Sequence, residues 1–415
     1  MDSFKPENWT ASSNECVKIS LLNSSTDKIT TFNPSFTYPI YGDSEQIFGF
    51  KDLELILAFE SKTFLPLVNI KYSEQLEKDK IGNVESNPLD TLLEYLPKSA
   101  ENLVIKDEKK WVETFTNERD NDSVWKNFQK NGELIAKHSD TTKKNQSLHI
   151  YKMNISKVKD LHSRIQIFAL FFIEGASYID ENDDDWDVYF LVNAETKDIL
   201  GYATCYKYWF YQGAQQFDSS TNYKYRSKIS QFLIFPPYQG KGYGSILYKS
   251  IYSYWLEQPN ICEMTVEDPN ESFDLLRDRN DLQYLIEHID LNEIKLQVQK
   301  ASLTQNFPSL CNLKLEKKQL HRLTEMLLLY LGKQSSARIM VKNRLFQKNY
   351  DALIELDELD RKDKLQSTFL TIEQDYLEII RFVKNTQKLA KTHTVGDNQV
   401  KNGKEDGHQP KKQKI

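Results

Sequence analysis

The sequence has few cysteines and lacks any long apolar run. The four cysteines, Cys16, Cys205, Cys262 and Cys311, are far apart, with no Cys-x-x-Cys pair and no Cys/His cluster. We therefore expect reduced thiols, a cytoplasmic and nuclear location and no bound metal. The longest apolar run, at 326–331, is too short to span a bilayer. The polar N-terminus lacks the apolar segment of a signal peptide, and we expect no membrane contact.

A large excess of either charge is also missing. The 415 residues carry a formal net charge of −6, and the pI is about 5.8. A broad nucleic-acid-binding surface needs an excess of Lys and Arg, so we expect no direct contact with nucleic acid. A mildly acidic protein remains suited to a basic substrate. The length allows two or three domains.

Glycine is scarce but locally concentrated. Only 14 glycines occur in the sequence, yet Gly240, Gly242 and Gly244 fall within five positions. The surrounding stretch, 229–247, predicts a strand, a break at two prolines, a glycine loop and the start of a helix. Such a loop brings backbone N–H groups and the positive end of the helix dipole to an anion. The stretch predicts a phosphate-binding loop, with a glycine-rich turn that binds nothing as the alternative.

The residues around the loop narrow the kind of phosphate carrier. Ser245 stands where a dinucleotide fingerprint needs glycine, and the Gly-Lys-Ser/Thr of a Walker loop is absent. The sequence Gln-Gly-Lys-Gly-Tyr-Gly at 239–244 instead resembles the pyrophosphate loop of the GNAT acetyltransferases, which bind acetyl-CoA. Pro236 and Pro237 have no N–H for a sheet, so the strand at 232–235 should stop pairing with its neighbour there. In GNAT enzymes the parted strand pairs with the pantetheine arm.

The elements on either side agree with the same fold. Apolar residues at 158–172 recur at three- and four-residue spacing and predict one amphipathic helix that ends near Gly175. Segments 188–192 and 199–206 predict a β-hairpin, and 261–266 predicts a further strand after the helix that follows the glycine loop. This order resembles a GNAT core. The predicted fold class is therefore α+β, with a mixed, splayed sheet flanked by helices.

Composition and periodicity divide the chain into four predicted parts. The last part has almost no apolar residues, and its lysines are either an import signal or simply solvated. The four parts are an N-terminal α+β module at 1–115, a GNAT acetyl-CoA-binding catalytic core at 116–285, a C-terminal helical domain at 286–387 and a disordered polar tail at 388–415.

The N-terminal module mixes short alternating segments with polar turns. Strands are predicted at 16–22 and 52–59, where apolar residues alternate. A short helix is predicted at 87–96, entered through Pro88. The stretch 32–50 carries several proline and glycine turn signals and predicts a long exposed loop.

A carboxylate-rich segment follows the strand predicted at 261–266. Acetyl transfer to lysine requires a neutral amine, although the pKa of free lysine is about 10.4. A nearby carboxylate can accept the proton directly or through water. Glu267, at the end of the strand, is placed for this, although it could be an ordinary surface glutamate. Asp268 could assist, or it could cap a helix that begins with Pro269 and has Glu271 at the capping-box position.

Five sequence blocks together resemble one family within the GNAT acetyltransferases. They are Phe-Thr-Tyr at 36–38, Gly-Asp-Ser-Glu-Gln-Ile-Phe-Gly-Phe at 42–50, Phe-Ile-Glu-Gly-Ala-Ser-Tyr-Ile-Asp at 172–180, the glycine loop at 239–244 and Glu-Asp-Pro at 267–269. Over residues 5–380 the chain is similar to the catalytic subunits of type B histone acetyltransferases, in their fungal form. The resemblance implies acetyl transfer from acetyl-CoA to tail lysines of newly synthesised, free histone H4 before chromatin assembly.

The resemblance also implies roles for particular residues. Glu267 matches the general base, and Glu174 and Asp268 match auxiliary carboxylates. Glu174 could instead be a buried polar group with a structural partner, and Arg279 could instead pair with an acid on its own helix. The positions that match contacts to acetyl-CoA are Phe232, Leu233, Ile234, Gln239, Gly240, Lys241, Gly242, Tyr243, Gly244, Ser245, Asn270 and Arg279. The positions that match the histone channel are Asp43, Ser44, Glu45, Tyr206, Lys207 and Tyr208.

An acidic run and an aromatic run suggest macromolecular partners. Residues 180–187 hold six carboxylates in eight positions, which would attract a basic histone tail unless they are only a solvated loop. Residues 208–217 hold five aromatic side chains and no charge, which is typical of an interface, although the rings could fold back onto the core. The resemblance implies a WD-repeat histone-binding chaperone at Trp209, Phe210, Tyr211 and Phe217, and histone H3 beside H4.

Two other functions remain compatible with the residues. One is acetyl transfer to a different amine, such as a protein N-terminus or a polyamine. The other is a histone-binding scaffold that keeps the fold without catalysis. The large N-terminal module favours a peptide substrate, and the intact glycine loop together with Glu267 favours catalysis.

Overall fold

A computed structural model of the protein describes residues 5–23, 25–76, 87–98, 104–140, 146–211, 213–215, 224–292 and 312–401. The chain forms two compact units, Met1–Asn270 and Glu271–Ile415. The first unit combines the predicted N-terminal module with most of the predicted catalytic core, because one hydrophobic cluster draws buried residues from both. The predicted boundaries at 115, 285 and 387 stay predictions.

Two β-sheets form the framework of the first unit. In chain order the strands are β1 (Thr10–Ser12), β2 (Val17–Asn23), β3 (Lys28–Phe32), β4 (Gln46–Phe48), β5 (Phe50–Lys51), β6 (Glu54–Glu60), β7 (Pro66–Lys71), β8 (Glu74–Gln75), β9 (Glu133–Asp140), β10 (Gln146–Asn154), β11 (Trp186–Asn193), β12 (Ile199–Trp209), β13 (Tyr225–Ile234) and β14 (Ile261–Val266). The central sheet has the order β14-β13-β12-β11-β10-β9, and a second sheet has the order β3-β2-β6-β7. Within the central sheet β13 and β14 are parallel and the other neighbours are antiparallel. The mixed sheet and the hairpin of β11 and β12 confirm the predictions.

Helices cover the central sheet and build the second unit. In chain order they are α1 (Ser13–Cys16), α2 (Tyr38–Tyr41), α3 (Pro88–Glu94), α4 (Glu108–Asn121), α5 (Ser123–Asn131), α6 (Ile155–Ile165), α7 (Ile167–Phe172), α8 (Tyr243–Glu257), α9 (Glu271–His288), α10 (Lys317–Tyr330), α11 (Gln334–Lys348), α12 (Tyr350–Ile354) and α13 (Glu358–Lys401). Successive side chains of β11 point to opposite faces. Val188 and Phe190 belong to the core cluster with α6, whereas the Tyr189 hydroxyl accepts a hydrogen bond from Trp255 of α8. The two faces are therefore covered by different helices, as the α+β fold class predicts.

An aromatic cluster joins the second sheet to the central sheet. Phe59, Phe64, Phe168 and Phe235 are each fully buried. Phe168 lies 4.9 Å from Phe59 and 4.8 Å from Phe235 between ring centroids, and Phe64 lies 4.7 Å from Phe235. Burying each ring stabilises the fold by about 1.5–3 kcal/mol. Phe235 directly follows β13, the strand that leads to the glycine loop, so this cluster also fixes where the loop begins.

The single helix predicted at 158–172 is wrong in one respect. The structure has two helices, α6 and α7, that meet at Gln166. Helix α6 begins after Asn154, whose side chain accepts a hydrogen bond from Ser156 N–H at 3.0 Å. Residues 167–171 are all buried, so α7 has no polar face. In a segment that is buried on every side, the spacing of apolar residues does not show whether one helix continues or two helices meet.

The long exposed loop predicted at 32–50 is also wrong. The segment contains α2, β4 and the start of β5, and it buries Ile40, Ile47 and Phe50. The Glu45 carboxylate accepts hydrogen bonds from Thr37 N–H at 2.7 Å and Tyr38 N–H at 3.1 Å. These contacts satisfy backbone groups at the start of α2 that would otherwise need water. The segment does turn repeatedly, but its apolar side chains fold it onto the core.

The second unit is helical, which confirms the predicted C-terminal helical region. Its interior contains Glu325, whose side chain is fully buried. Both carboxylate oxygens accept hydrogen bonds from Arg344, at 2.7 Å and 2.8 Å, and Tyr376 O–H donates at 2.9 Å. A buried charge needs this full set of partners, because an unpaired carboxylate would be costly there.

The last helix runs further than the sequence suggests. Helix α13 continues to Lys401, beyond residue 388, where the disordered tail was predicted to begin. The stretch 388–395 contains neither proline nor glycine, so nothing in it interrupts a helix. The rest of the predicted tail, 402–415, lies outside the described residues. Within the part of the chain that the structure describes, no helix is long and apolar enough to cross a membrane.

Candidate functional site

The central sheet opens between its two parallel strands. The register of β13 with β14 ends where Ile229 lies opposite Val266, and Glu267 N–H donates to the Ile229 carbonyl at 2.9 Å. Strand β13 continues to Ile234, still in register with β12. The strand was predicted to stop pairing at the two prolines. Its pairing with β12 does stop there, after Phe235 N–H donates to the Leu200 carbonyl at 3.0 Å, but β13 and β14 part earlier. They part at Ser230, because β14 ends at Val266 and Asp268 takes a left-handed backbone conformation, with φ of 34°.

A β-bulge lies at the point where the strands part. Along β12 and β13, Cys205 pairs with Ile229 and Thr204 pairs with Gln231, so Ser230 is an extra residue on β13. A bulge breaks the alternation of side chains between the two faces. As a result Lys228, Ser230 and Gln231 all line the same cleft.

The glycine loop lies at the far end of β13 and starts helix α8. Gly240 and Gly242 have φ of +72° and +81°, and a Cβ placed on either would have nothing within 4 Å. Both positions therefore need glycine for their backbone conformation, and the space beside them is open. Gly242 is the N-cap residue of α8. The Tyr243 side chain is buried, so only its backbone can contact a ligand of the loop.

This arrangement fits the pyrophosphate of acetyl-CoA. Residues 239–242 are exposed, and the backbone N–H groups at the start of α8 have no partners within the helix. The Gln239 side chain donates to the Ile234 carbonyl at 2.8 Å, and Lys241 donates to the Pro237 carbonyl at 2.8 Å. These two contacts fasten the loop to the end of β13. The loop thus offers backbone donors on a fixed support.

A cleft of about 470 Å³ lies on the face of the sheet opposite α8. It brings together all three predicted catalytic residues. Its lining contains five carboxylates and one ammonium group, so its field favours a cationic substrate. The lining residues are Ile173, Glu174, Gly175, Ala176, Ser177, Tyr178, Ile179, Asp180, Asp183, Trp186, Tyr206, Lys228, Ser230, Gln231, Glu267 and Asp268.

Glu267 is held by two residues of β13. One carboxylate oxygen accepts a hydrogen bond from the Lys228 ammonium at 2.6 Å, and the other accepts one from the Ser230 hydroxyl. Burial raises the pKa of Glu267, but the hydrogen bonds from Lys228 and Ser230 and the charge of Lys228 outweigh it, so that the pKa lies below its ordinary value. Glu267 is therefore ionised and oriented at neutral pH.

The two auxiliary carboxylates have different surroundings. Asp268 does not cap a helix as the alternative interpretation held, because α9 begins only at Glu271. Its left-handed backbone, which Asp tolerates better than most residues, turns the chain away from β13. Glu174 is exposed at the cleft and follows α7, so the alternative of a buried polar group is wrong. The next residue, Gly175, donates its N–H to the Tyr38 hydroxyl at 2.6 Å.

The acidic run at 180–187 divides between two faces. Asp180 and Asp183 line the cleft, and a hydrogen bond to Asp183 raises the pKa of the Tyr206 hydroxyl. Oε1 of Glu181 lies 2.7 Å from Nδ1 of the buried His162 ring, and this hydrogen bond anchors the loop. Asp187 is buried on the other face, where it pairs with Lys207 at 2.8 Å. Some acids of the run therefore line the cleft, and others hold the fold together through His162 and Lys207.

The residues predicted for the histone channel are only partly brought together. Tyr206 lines the cleft. Tyr208 has its hydroxyl 3.3 Å from that of Thr265. Lys207 points to the other face of the sheet, towards Asp187. Asp43 and Ser44 are exposed, whereas Glu45 is engaged by the start of α2 and by the Asn14 amide at 2.6 Å. The substrate roles of all six positions stay predictions.

The aromatic run begins at the end of β12. Trp209 and Tyr211 are 47% and 56% exposed, and their rings meet at 5.3 Å. Phe210 lies beneath the Arg226 guanidinium at 4.3 Å. The alternative that these rings fold back onto the core is wrong for Trp209 and Tyr211. Phe217, the fourth residue of the predicted interface, lies outside the described residues.

The two remaining cofactor positions lie at the end of the first unit and in the second unit. Asn270 is the last residue of the first unit and is exposed. Arg279 is on α9, with its guanidinium 4.2 Å from the centre of the Phe382 ring. The alternative of an ion pair with a neighbouring acid is not formed, because Asp278 pairs with Arg322 and Asp281 with Arg277. Contact of Arg279 with acetyl-CoA stays a prediction.

Two residues of the site were not predicted from the sequence. Lys228 and Ser230 hold Glu267. The available signal was the polar residues at 228 and 230, just before an apolar strand end. That signal was too weak, because polar residues two apart on a strand also occur on any solvated face, and the parting of β13 from β14 has no mark in the sequence. Among the described residues no cluster of His, Cys, Asp and Glu is suited to a metal ion.

Comparison with known proteins identifies the family. The family descriptions that match are "Histone acetyl transferase HAT1 N-terminus" at residues 9–174, "Acetyltransferase (GNAT) family" at 158–272 and "Fungal HAT1, C-terminal" at 278–333. The histone acetyltransferase type B catalytic subunit of Candida glabrata is 44% identical over 92% of this chain and 95% of that protein. Its counterpart in Kluyveromyces lactis is 43% identical over 91% of this chain and 93% of that protein. The chain belongs to the family of type B histone acetyltransferase catalytic subunits and is an acetyl-CoA-dependent acetyltransferase with the GNAT fold.

Proposed function

We propose that this enzyme acetylates N-terminal tail lysines of newly synthesised, free histone H4 before chromatin assembly, with Glu267 as the general base. The observation that carries the proposal is the position of Glu267. Its ionised carboxylate lies where β13 and β14 part, in a cleft lined by five carboxylates. A basic peptide can enter this cleft, and its lysine can meet the base there.

The cofactor site is supported by the glycine loop. Acetyl-CoA supplies a thioester whose acetyl group an amine can take. The N–H groups at the start of α8 hold the pyrophosphate, and the parted edge of β13 is available to the pantetheine arm. The substrate amine attacks the thioester carbon, the carbon–sulfur bond breaks, and the sulfur leaves as the thiol of CoA. Gly240 and Gly242 admit the pyrophosphate because they carry no side chain.

Glu267 removes the proton that the attacking amine must lose. Its pKa lies below the ordinary value, so it is a weak base, and its contribution rests on position. Besides orienting Glu267, the Lys228 ammonium also affects the substrate lysine. A like charge beside the incoming lysine disfavours the ammonium form of that lysine. Lys228 thus opposes, next to the base, the preference of the five carboxylates for the ammonium form.

The histone partner is supported by charge, and the protein partner by exposed rings. Asp180 and Asp183 extend the negative cleft outward, which speeds the encounter with a Lys- and Arg-rich tail. Trp209 and Tyr211 expose large apolar surfaces at the end of β12. We assign this surface to a WD-repeat histone-binding chaperone that holds H4 together with H3. Free histones are available in the cytoplasm and the nucleus, and we place the enzyme in both.

The test is an acetylation map made on free H3–H4 dimers with acetyl-CoA. We expect acetyl groups on lysines of the H4 N-terminal tail and none in Glu267→Gln. The matched control is Glu263→Gln, because Glu263 also lies on β14 and also pairs with a cation of β13 but is outside the cleft lining. Acetylation confined to H3, or to a protein N-terminus or a polyamine, would contradict the proposal.

A further inference from the structure

The cleft already contains a lysine amine in contact with the general base. The Lys228 ammonium lies 2.6 Å from the Glu267 carboxylate. Both side chains line the cleft and are partly exposed, at 28% for Lys228 and 42% for Glu267. A substrate lysine must bring its ε-amine to this same carboxylate. Lys228 therefore occupies the place of the substrate amine, with the same functional group.

The strand geometry keeps Lys228 in this place. Lys228 lies opposite Tyr206 on β12 and opposite Thr265 on β14, so its backbone is fixed between two strands. Lys228 is the last residue of β13 that faces the cleft before the bulge at Ser230, where the sheet opens. A four-carbon side chain with free rotation can then shift its amine along the opening.

We propose that the enzyme acetylates its own Lys228 when acetyl-CoA is bound. This inference rests on the proposed role of Glu267 and on the proposed cofactor site. The step is balanced like the transfer to histone. Glu267 accepts a proton from the Lys228 ammonium, the neutral amine bonds to the thioester carbon, and the carbon–sulfur bond breaks. The second proton lost by the nitrogen passes to the departing sulfur, which leaves as the CoA thiol, and Lys228 becomes an uncharged amide.

The modification would change the cleft in a defined direction. Loss of the charge on Lys228 removes two of the influences that keep the pKa of Glu267 low. Glu267 becomes a stronger base, and one of its oxygens becomes available to a substrate amine. The net charge of the cleft also becomes more negative. Self-acetylation would therefore strengthen the base and the attraction for a cationic tail, while it removes the like charge that disfavours the ammonium form of the incoming lysine.

Lys207 provides an internal control in the same protein. Its side chain is 32% exposed and pairs with the Asp187 carboxylate at 2.8 Å. It thus matches Lys228 in residue type, exposure and pairing with a carboxylate. Lys207 lies on the opposite face of the sheet, away from the cleft. Non-enzymatic acetylation by acetyl-CoA would not favour Lys228 over Lys207 on these grounds.

The experiment is a time course of the purified full-length enzyme with acetyl-CoA and no histone, read by mass spectrometry of peptides that contain Lys228 or Lys207. We expect Lys228 to gain one acetyl group first, at a rate independent of enzyme concentration. Glu267→Gln should slow this by about a hundredfold or more, the scale of a lost general base, and Glu263→Gln should not. Lys228→Arg should remove the modified peptide and leave Lys207 unchanged.

Each outcome decides the proposal. Lys228 that stays unmodified, or that is modified no faster than Lys207 or equally fast in Glu267→Gln, overturns it. A rate that rises with enzyme concentration overturns the intramolecular step. Acetylation of added H3–H4 dimers is measured in parallel. If histone is acetylated while Lys228 is not, the inference fails and the proposed function stands; if neither is acetylated, both fail.

Discussion

Two ion pairs join the same two strands, and only one of them lies in the cleft. Arg226 pairs with Glu263 where β13 and β14 are in register. Lys228 pairs with Glu267 just beyond the last register pair. The two pairs have the same charges and comparable exposure, with side chains 35% and 27% exposed in the first and 28% and 42% in the second.

The difference between the pairs is what surrounds them. The Arg226 guanidinium is covered by the Phe210 ring. Lys228 lies beside a cleft of about 470 Å³. A surface ion pair contributes little to stability in either place. The comparison teaches that a carboxylate gains a chemical role from the parting of two strands, rather than from its charge partner.

The largest expected effect is the loss of acetyl-CoA binding, because without the acetyl donor Glu267 has no reaction to assist. Gly242→Asp should abolish measurable binding, because the carboxylate repels the pyrophosphate and fills the open space beside the loop. Calorimetric titration with acetyl-CoA checks this. Gly332→Asp is the control, since Gly332 has φ of +74° and also has nothing within 4 Å of its Cβ position, yet it lies outside the loop. Equal loss of binding in both variants would mean that strain, not the site, is responsible.

The second effect separates the two glutamates. Glu267→Gln should keep acetyl-CoA affinity and lower kcat by about a hundredfold or more at neutral pH. Glu263→Gln should change kcat little. The deficit of Glu267→Gln should shrink as pH approaches the lysine pKa of about 10.4, because solvent then removes the proton. Steady-state rates with an H4 tail peptide across pH measure this, and a Glu267→Gln enzyme as active as its parent would refute the base assignment.

Much of this site follows from local sequence. The strand predicted at 261–266 is β14, Ile261–Val266, and the glycine loop lies at the start of α8 as expected. These features depend on glycine, proline and apolar periodicity, whose effects on the backbone are local. The three predicted catalytic carboxylates, Glu174, Glu267 and Asp268, are among the five that line the cleft, although their chemical roles stay predictions.

The parts that could not be predicted depend on tertiary contacts. The bulge at Ser230 arises from register between β12 and β13, and no residue type marks it. The helix break at Gln166 and the folding of 32–50 onto the core both depend on the residues, distant in sequence, that pack against each segment. Glu45 is an example, since its carboxylate accepts hydrogen bonds from the backbone N–H groups at the start of α2. A single sequence does not tell a substrate-facing acid from an acid that satisfies a neighbouring turn.

A third effect tests how Lys228 acts on Glu267. The pKa of Glu267 is lowered, so the carboxylate stays ionised to a more acidic pH than an ordinary glutamate. Any stability from the pair is present above the ordinary pKa and is lost as pH falls through the lowered one. Lys228→Gln should move the pKa of Glu267 upward, and with it the pH at which activity falls on acidification. Lys228→Arg keeps the charge and should not; the pH dependence of kcat/KM distinguishes them.

The smallest effect on catalysis is expected at the aromatic end of β12, next to Arg226. Trp209 and Tyr211 are exposed and contact each other edge to face, so replacing both with serine removes apolar surface without opening the core. We expect this double variant to lose co-purification with the WD-repeat chaperone, because exposed aromatic rings are the usual anchors of an interface. Acetylation of a free H4 tail peptide should stay within about twofold of the parent, since surface changes of this kind have small effects.

Ile29→Ser is the control for exposure alone. Ile29 is 63% exposed on β3, so this change also removes surface apolar area but leaves β12 intact. Its co-purification with the chaperone should be normal. If the Trp209 and Tyr211 variant still co-purified, the rings would not be the docking surface. If it lost peptide activity as well, the end of β12 would belong to the substrate path, and the contrast between the Arg226–Glu263 and Lys228–Glu267 pairs would narrow, because both would then border the same channel.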